Sequence, residues 1–258
     1  MLIDKTTELI LEDTYKKFLH RDFVKPDPLQ FLYEYTDIKD REIVGLLASS
    51  LALGRVNSII QVITQVLRKL PSPYENLKVL SNENILDLFD GFKYRFYSQK
   101  DLGDLLQAIK RVIGKYGSLN NCFLAGYNES DKTILPALAY FVNSLNGTVK
   151  LKMLADPTKN SACKRLQLYL RWMIRHDDID PGGWEGVPRS KLIIPLDTHI
   201  YKISKMFQLT SRNDGGMKTA LEITENLKKY DREDPIRFDF SLTRPGIHPE
   251  LDYSEFEQ

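Results

Sequence analysis

The sequence has few of the side chains that hold cofactors. It contains only two cysteines, Cys122 and Cys163, in 258 residues, which excludes a disulfide framework and is typical of a protein from a reducing compartment. Its four histidines show none of the spacings at which histidine ligands share a metal ion. No glycine-rich phosphate-binding loop is present. We therefore expect no metal, no nucleotide and no other cofactor.

Long apolar runs and a strong charge of either sign are also missing. No run approaches the roughly 20 apolar residues that cross a bilayer, and residues 1–21 carry four acidic side chains, unlike a signal peptide. The 36 basic and 35 acidic residues leave a net charge of +1, which argues against a strongly basic nucleic-acid binder. These features predict a globular, cytoplasmic protein with no membrane partner.

The charge is nevertheless unevenly distributed along the chain. Residues 150–229 contain 15 basic and 9 acidic side chains, whereas residues 230–258 contain 3 basic and 8 acidic ones. A basic segment is what neutralisation of phosphates requires. A DNA-binding role would make the protein nucleoid-associated, although helical proteins also show such asymmetry by chance.

Apolar residues recur with the 3.6-residue period of a helix, and no segment alternates convincingly as a strand. We therefore predict an all-α fold, followed by a mobile acidic tail at residues 250–258. The predicted helices are residues 2–19, 29–35, 40–53, 56–70, 101–116, 118–125, 131–145, 160–175, 197–207, 217–230 and 235–242.

The predicted helix 160–175 carries a lysine that is suited to covalent chemistry. Asn160 and Ser161 are good N-cap residues, which places Lys164 in the first turn. Lys164, Arg171 and Arg175 fall opposite the apolar arc of this helix. The helix dipole and any desolvation favour the neutral amine of Lys164, the form that attacks carbon. The alternative is an ordinary solvated surface lysine.

A second helix start lies at Asp197. Pro195 disfavours helical geometry in the preceding residue, and Asp197 then fits the N-cap of the next helix. Its carboxylate could be only a cap, or it could also orient a water or stabilise a cation on a substrate. His199 falls in the apolar arc and is expected to be a packed histidine rather than a base.

Aromatic and basic residues alternate between Gly91 and Tyr97. Such a segment could stack on bases and contact phosphates. Four aromatic residues close together are also typical of a core anchor between helices, and both interpretations stay open.

The segment Leu196–Ile203 resembles the Val-Asp-Thr-His-Val-x-Arg-Val segment of the helix-hairpin-helix DNA glycosylase superfamily, which includes endonuclease III and the 8-oxoguanine glycosylases. In bifunctional members a lysine at the start of the hairpin's second helix is the nucleophile, and the aspartate of this segment is its partner. The resemblance assigns these roles to Lys164 and Asp197.

The resemblance also implies an architecture: two helical lobes with a cleft between them. One lobe would comprise residues 36–190 and carry Lys164; the other would comprise residues 1–35 and 191–258 and carry Asp197. The insert at residues 176–191 is similar to the archaeal 8-oxoguanine glycosylase branch. The full-length pattern looks most like an uncharacterised bacterial family attached to the superfamily. With two cysteines, the chain lacks the ligands for the iron–sulfur cluster of endonuclease III.

The hairpin departs from the superfamily pattern. Members read roughly Leu-Pro-Gly-x-Gly, whereas residues 154–161 contain no glycine, so the close backbone approach to a phosphate would have to come from other groups. The residues expected to contact nucleic acid are Lys159, Ser161, Arg165, Arg171, Arg175 and Lys202.

Three functions are compatible with these observations. The first is a DNA repair N-glycosylase, with or without AP lyase activity, that excises a flipped base of the 8-oxoguanine type from double-stranded DNA through Lys164 and Asp197. The second is a non-catalytic nucleic-acid-binding protein on the same helical scaffold. The third is a helical interaction module in which Asp197 is only a cap.

Overall fold

The computed structural model describes residues 4–247, and these form a helical protein with one small β-hairpin. The all-α prediction is confirmed, apart from that hairpin. The helices are α1 (Lys5–Phe18), α2 (Ile38–Leu51), α3 (Val56–Lys69), α4 (Pro73–Val79), α5 (Asn82–Leu88), α6 (Gln99–Tyr116), α7 (Leu119–Leu124), α8 (Leu135–Asn146), α9 (Lys164–Ile174), α10 (Thr198–Met206), α11 (Met217–Leu227) and α12 (Asp239–Ile247). The antiparallel strands are β1 (Lys93–Tyr94) and β2 (Tyr97–Ser98), and 3-10 helices cover Arg21–Phe23, Pro28–Glu34 and Arg189–Lys191.

The sequence prediction missed α4 and α5, and several helix boundaries differ from it. Helix α2 is capped by Asp37, which accepts from two backbone amides, rather than by Asp40. Helix α9 starts at Lys164, after Cys163 in the left-handed region at φ 51°. Helix α12 starts at Asp239, because the preceding residues form turns. The predicted acidic tail 250–258 lies outside the described residues.

Helix α2 lies at the centre of the fold. Its residues from Glu42 to Leu51 are all buried, as expected for a helix surrounded by other elements. It packs against α9, α3, α4, α7 and the 3-10 helix Pro28–Glu34. A Cβ added to Gly45 would lie 3.2 Å from the ring of Tyr169, so the small residue allows α2 and α9 to approach closely.

The helices nearest to the two ends of the described chain are neighbours. Helix α12 packs against both α1 and α10, and Arg237, just before α12, pairs with Glu12 of α1. Apolar side chains from Leu11 to Leu242 belong to a single buried cluster. In residues 4–247, no helix combines the length and the apolar character needed to cross a membrane.

A buried carboxyl group on α2 connects three parts of the chain. Glu42 is fully buried and accepts hydrogen bonds from the amides of Leu119 (2.7 Å) and Asn120 (3.0 Å) and from Nε1 of Trp184 (2.9 Å). Burial raises the pKa of Glu42 to about 7, although the three N–H donors oppose this rise. Helix α2, the start of α7 and the 176–191 insert therefore meet at one titratable group.

We predict that Glu42→Ala destabilises the protein by about 3 kcal/mol near pH 5, because it leaves three buried N–H donors without an acceptor. The folded-state pKa of Glu42 lies above its ordinary value of 4.5. The stability that this group contributes is therefore lost as pH rises through about 7. The difference between wild type and variant should shrink between pH 5 and pH 8 in urea denaturation.

Glu34→Ala provides the matched control, because Glu34 is exposed. It should change the free energy of unfolding little at either pH. A Glu42→Ala effect that is small at pH 5, or that does not depend on pH, would contradict the role given to Glu42.

Candidate active site

The starts of α9 and α10 bring Lys164 and Asp197 together. Lys164 is the first residue of α9, and its Nζ lies 3.1 Å from Oδ2 of Asp197. The other oxygen of Asp197 caps α10 by accepting from the amide of Ile200 at 2.8 Å. The lysine side chain is 43% exposed and the aspartate side chain 12% exposed, so the pair is open to solvent on the lysine side.

Both residues line a pocket of about 530 Å³. This volume lies within the range of small-molecule sites, about 300–1,000 Å³. Its walls come from several parts of the chain: the α2–α3 connection, the segment before α9, α9 itself, the start of α10 and α12. The lining includes Asp27, Ser50, Leu53, Gly54, Met153, Leu154, Ser161, Cys163, Lys164, Arg165, Leu168, Arg171, Trp172, Pro195, Asp197, Asp239, Thr243 and Arg244.

Two buried side chains of the pocket wall have polar atoms without a partner. Trp172 is 1% exposed and Arg244 is 5% exposed. In the part of the chain that the structure describes, Nε1 of Trp172 and Nε of Arg244 have no hydrogen-bond acceptor. Other nitrogens of Arg244 do have partners, the carbonyl of Phe23 at 3.1 Å and the carboxylate of Asp27 at 3.4 Å. Both nitrogens are enclosed in the protein, and unsatisfied buried donors of this kind are costly.

Asp239 adds a second carboxyl group to the pocket. Burial raises its pKa to about 6; Arg171 lowers it, whereas the negative charge of Asp197 raises it further. A buried carboxyl group with a raised pKa at the wall of a pocket is common at functional sites. Within residues 4–247, no group of three or more His, Cys, Asp and Glu side chains is arranged to hold a metal ion.

The expectation that Arg171 and Arg175 face away from the core is wrong. They are 4% and 1% exposed. Arg171 pairs with Asp180 and Asp239, and Arg175 pairs with Asp180 and Asp234. The acidic turn that follows α9 folds back over this face, so neither guanidinium is available to a phosphate on the surface. Arg171 reaches the pocket only as part of its wall.

The other predicted contact residues are dispersed. Ser161 and Arg165 line the pocket; Arg165 is half-buried and donates to the carbonyl of Ser50. Lys159 and Lys202 are exposed outside the pocket lining. Asn160 and Ser161 do not cap α9, because the helix begins at Lys164 and its N-cap position is Cys163; Ser161 forms an isolated β-bridge with Gly216.

Sequence reasoning missed the pocket contributions of Trp172, Asp239 and Arg244. Trp172 lies eight residues, about two helical turns, beyond Lys164 and outside the predicted apolar arc, and its indole N–H gave no periodic signal. Asp239 and Arg244 sit in a helix whose start was predicted too early. The opposite charges of Arg171 and Asp239 were the only available signal, and the sequence does not indicate that they meet.

These features define a helical protein with a lysine–aspartate pair at a partly buried pocket. The chain belongs to a family described as "Protein of unknown function (DUF2400)", which matches residues 27–248. The comparisons with curated proteins and with solved structures gave no match. The expectation of an uncharacterised family is thereby confirmed, and its attachment to the glycosylase superfamily stays a prediction.

Substitutions at Asp197 should separate its two roles. Asp197→Asn keeps an oxygen that caps α10, so we expect a change in the free energy of unfolding of no more than about 0.5 kcal/mol. Asp197→Ala removes the cap and should cost about 1 kcal/mol. Urea denaturation measures both. Asp37→Ala, which removes the cap of α2 away from the pocket, should resemble Asp197→Ala; equal stabilities for the two Asp197 variants would exclude the capping role.

Proposed function

We propose that the protein is a DNA N-glycosylase with AP lyase activity that uses Lys164 and Asp197. The observation that carries the proposal is the distance of 3.1 Å between Nζ of Lys164 and Oδ2 of Asp197 at the wall of an open pocket. The two residues come from different helix starts, and the resemblance to the helix-hairpin-helix glycosylases selects the same two.

The pair has the parts that the chemistry requires. The amine nitrogen of Lys164 forms a bond to C1′ of the sugar while the bond from C1′ to the base breaks, and the base leaves with that electron pair and takes up a proton. The lone pair of the nitrogen then forms the C=N bond while the C1′–O4′ bond breaks; O4′ leaves with that electron pair and takes up a proton, which gives a protonated imine between Lys164 and the sugar. Asp197 accepts a proton from the amine and stabilises positive charge on the sugar.

The composition of the pocket wall supports a cleft between two helical lobes. Lys164 and Trp172 belong to the middle of the chain, whereas Asp197, Asp239 and Arg244 belong to its C-terminal part. A base that leaves the helical stack of DNA needs such a recess.

The exposed groups near the pair suit contact with the DNA backbone. Lys159, Ser161 and Lys202 are exposed, and they lie near the starts of α9 and α10. Amides at helix starts together with lysines are common phosphate ligands. These groups would take the place of the glycine-containing hairpin.

A second candidate is a nucleic-acid-binding protein without catalytic activity. It is favoured by the absence of glycine from residues 154–161 and by the engagement of the Lys164 ammonium with Asp197. The same pocket would then hold an extruded or terminal nucleotide without cleaving it.

Trapping with borohydride tests the glycosylase. On a duplex with an 8-oxoguanine or an abasic site, the wild-type protein should form a covalent adduct, and Lys164→Gln should form none, because the amide cannot become an imine. Asp197→Asn should lower the rate of adduct formation about 10²-fold or more. Adducts are measured by denaturing gel electrophoresis.

Lys218→Gln is the control, since Lys218 is an exposed lysine of α11 outside the pocket lining; it should leave the adduct unchanged. If the wild-type protein binds DNA but neither forms an adduct nor releases a base across a panel of lesions, the second candidate is correct and the glycosylase is not.

A further inference from the structure

The hairpin β1–β2 presents an aromatic ring to solvent. Phe96, at its tip, is 57% exposed, whereas the next residue, Tyr97, is 1% exposed and belongs to the core. The aromatic segment Gly91–Tyr97 therefore has two parts: Tyr97 anchors the hairpin, and Phe96 is left on the surface. Nothing in the proposed reaction uses Phe96.

The exposed ring is held in place. It packs edge-on against Tyr97, with ring centres 4.7 Å apart and an angle of 67° between the planes. Nζ of Lys152 lies 5.7 Å from the centre of the Phe96 ring and also donates to the carbonyl of Phe96. Much of the conformational entropy of the side chain is thus already lost before any partner binds.

The hairpin borders the pocket at three points. The hydroxyl of Tyr94 donates to the carbonyl of Leu53 at 2.7 Å. A Cβ added to Gly54 would lie 3.0 Å from Cζ of Arg95, and Cζ of Arg165 lies 5.9 Å from the centre of the Tyr97 ring. Leu53, Gly54 and Arg165 all line the pocket. The ring of Phe96 is therefore carried by an element at the pocket rim.

The charge around the ring indicates the kind of partner. Lys93 and Arg95 are exposed, and residues 91–97 contain no acidic side chain. Among the residues described, 4–247, neither cation is paired with a carboxylate. Nζ of Lys152, which donates to the carbonyl of Phe96, also lies 3.3 Å from the carboxylate of Asp101. An exposed aromatic ring beside unpaired cations suits a polyanion with flat aromatic groups, which is a nucleic acid.

We infer that the hairpin Lys93–Ser98 is a base-stacking site, which holds an unstacked base next to the nucleotide in the pocket. The ring of Phe96 contacts the face of that base, and Lys93 and Arg95 contact the neighbouring phosphates. The location of the base rests on the proposed function, but the stacking itself does not require any chemistry at Lys164.

Binding to an interrupted duplex tests this inference. The interrupted duplex is a fluorescent DNA duplex in which a tetrahydrofuran abasic analogue replaces one nucleotide. Its affinity is measured by fluorescence anisotropy and compared with that of the intact duplex of the same sequence. Phe96→Ala should weaken binding to the interrupted duplex about tenfold, the effect of losing one stacked base, and should affect the intact duplex less. Phe96→Trp should retain the affinity, since it restores an aromatic face.

Two further variants complete the design. Val79→Ala, at an apolar residue of α4 that is 78% exposed, should leave binding unchanged. Arg95→Gln should reduce the dependence of log Kd on log salt by about 0.9, the value for one lost phosphate contact in duplex DNA, whereas Phe96→Ala should keep that slope.

The outcomes distinguish the two proposals. If Phe96→Ala binds the interrupted duplex as tightly as wild type, or wild type binds neither duplex at low salt, the stacking site is refuted. If the Phe96→Ala loss is observed but no lysine adduct forms on any lesion, the stacking site stands and the glycosylase falls. If the adduct forms normally and Phe96→Ala has no effect on affinity, only the stacking site falls.

Discussion

The arrangement of the pocket depends on buried ion pairs beneath it. Helix α9 carries Arg171 and Arg175 into the core, where they meet Asp180, Asp234 and Asp239. Burial lowers the pKa of Arg171, but Asp180 and Asp239 outweigh burial and raise it above its ordinary value. Removing one partner from such a network typically costs about 3–5 kcal/mol, because a charge is left buried and alone. The network therefore restricts α9, the turn that follows it and the start of α12 to one relative arrangement, and the wall of the pocket is made from those elements.

The lysine–aspartate pair gains its geometry from the same restriction. Lys164 is the first residue of α9, the helix whose position the ion pairs of Arg171 and Arg175 restrict. One oxygen of Asp197 caps α10, and the other faces Lys164. A carboxylate that caps a helix has little rotational freedom, so the cap restricts the orientation of Asp197 relative to Lys164. Asp239 connects the buried ion pairs to the lysine–aspartate pair, because it pairs with Arg171 and its pKa is raised by the charge of Asp197.

The cap at Asp197 follows from a few neighbouring residues, and the all-α class follows from the apolar period. Lys164 does lie in a first turn, although Asn160 and Ser161 do not cap that helix. Its pairing with Asp197 was implied by the resemblance, because long-range pairing leaves no local signal. The burial of Arg171 and Arg175 could not be derived in this way: the period shows which residues share a helix face, but not that an acidic turn covers the polar face. The hairpin was missed because two strands of two residues are too short to show alternation, and the sequence alone does not separate the exposed Phe96 from the buried Tyr97.

The buried pairs also explain why the basic excess of residues 150–229 overstates the positive surface. Arg171 and Arg175 contribute to that excess, yet both are neutralised inside the protein, in part by Asp234 and Asp239 from the acidic segment that follows. Within the pocket, Lys164 faces Asp197 and Arg244 faces Asp27, so its charges are largely balanced. In the part of the chain that the structure describes, Lys93 and Arg95 have no carboxylate partner and lie on the hairpin that carries Phe96. In the proposed function, the balanced recess would take the neutral base, and the basic hairpin would contact the phosphates on either side of it. The proposal therefore does not require a basic protein, and it is compatible with a net charge of +1.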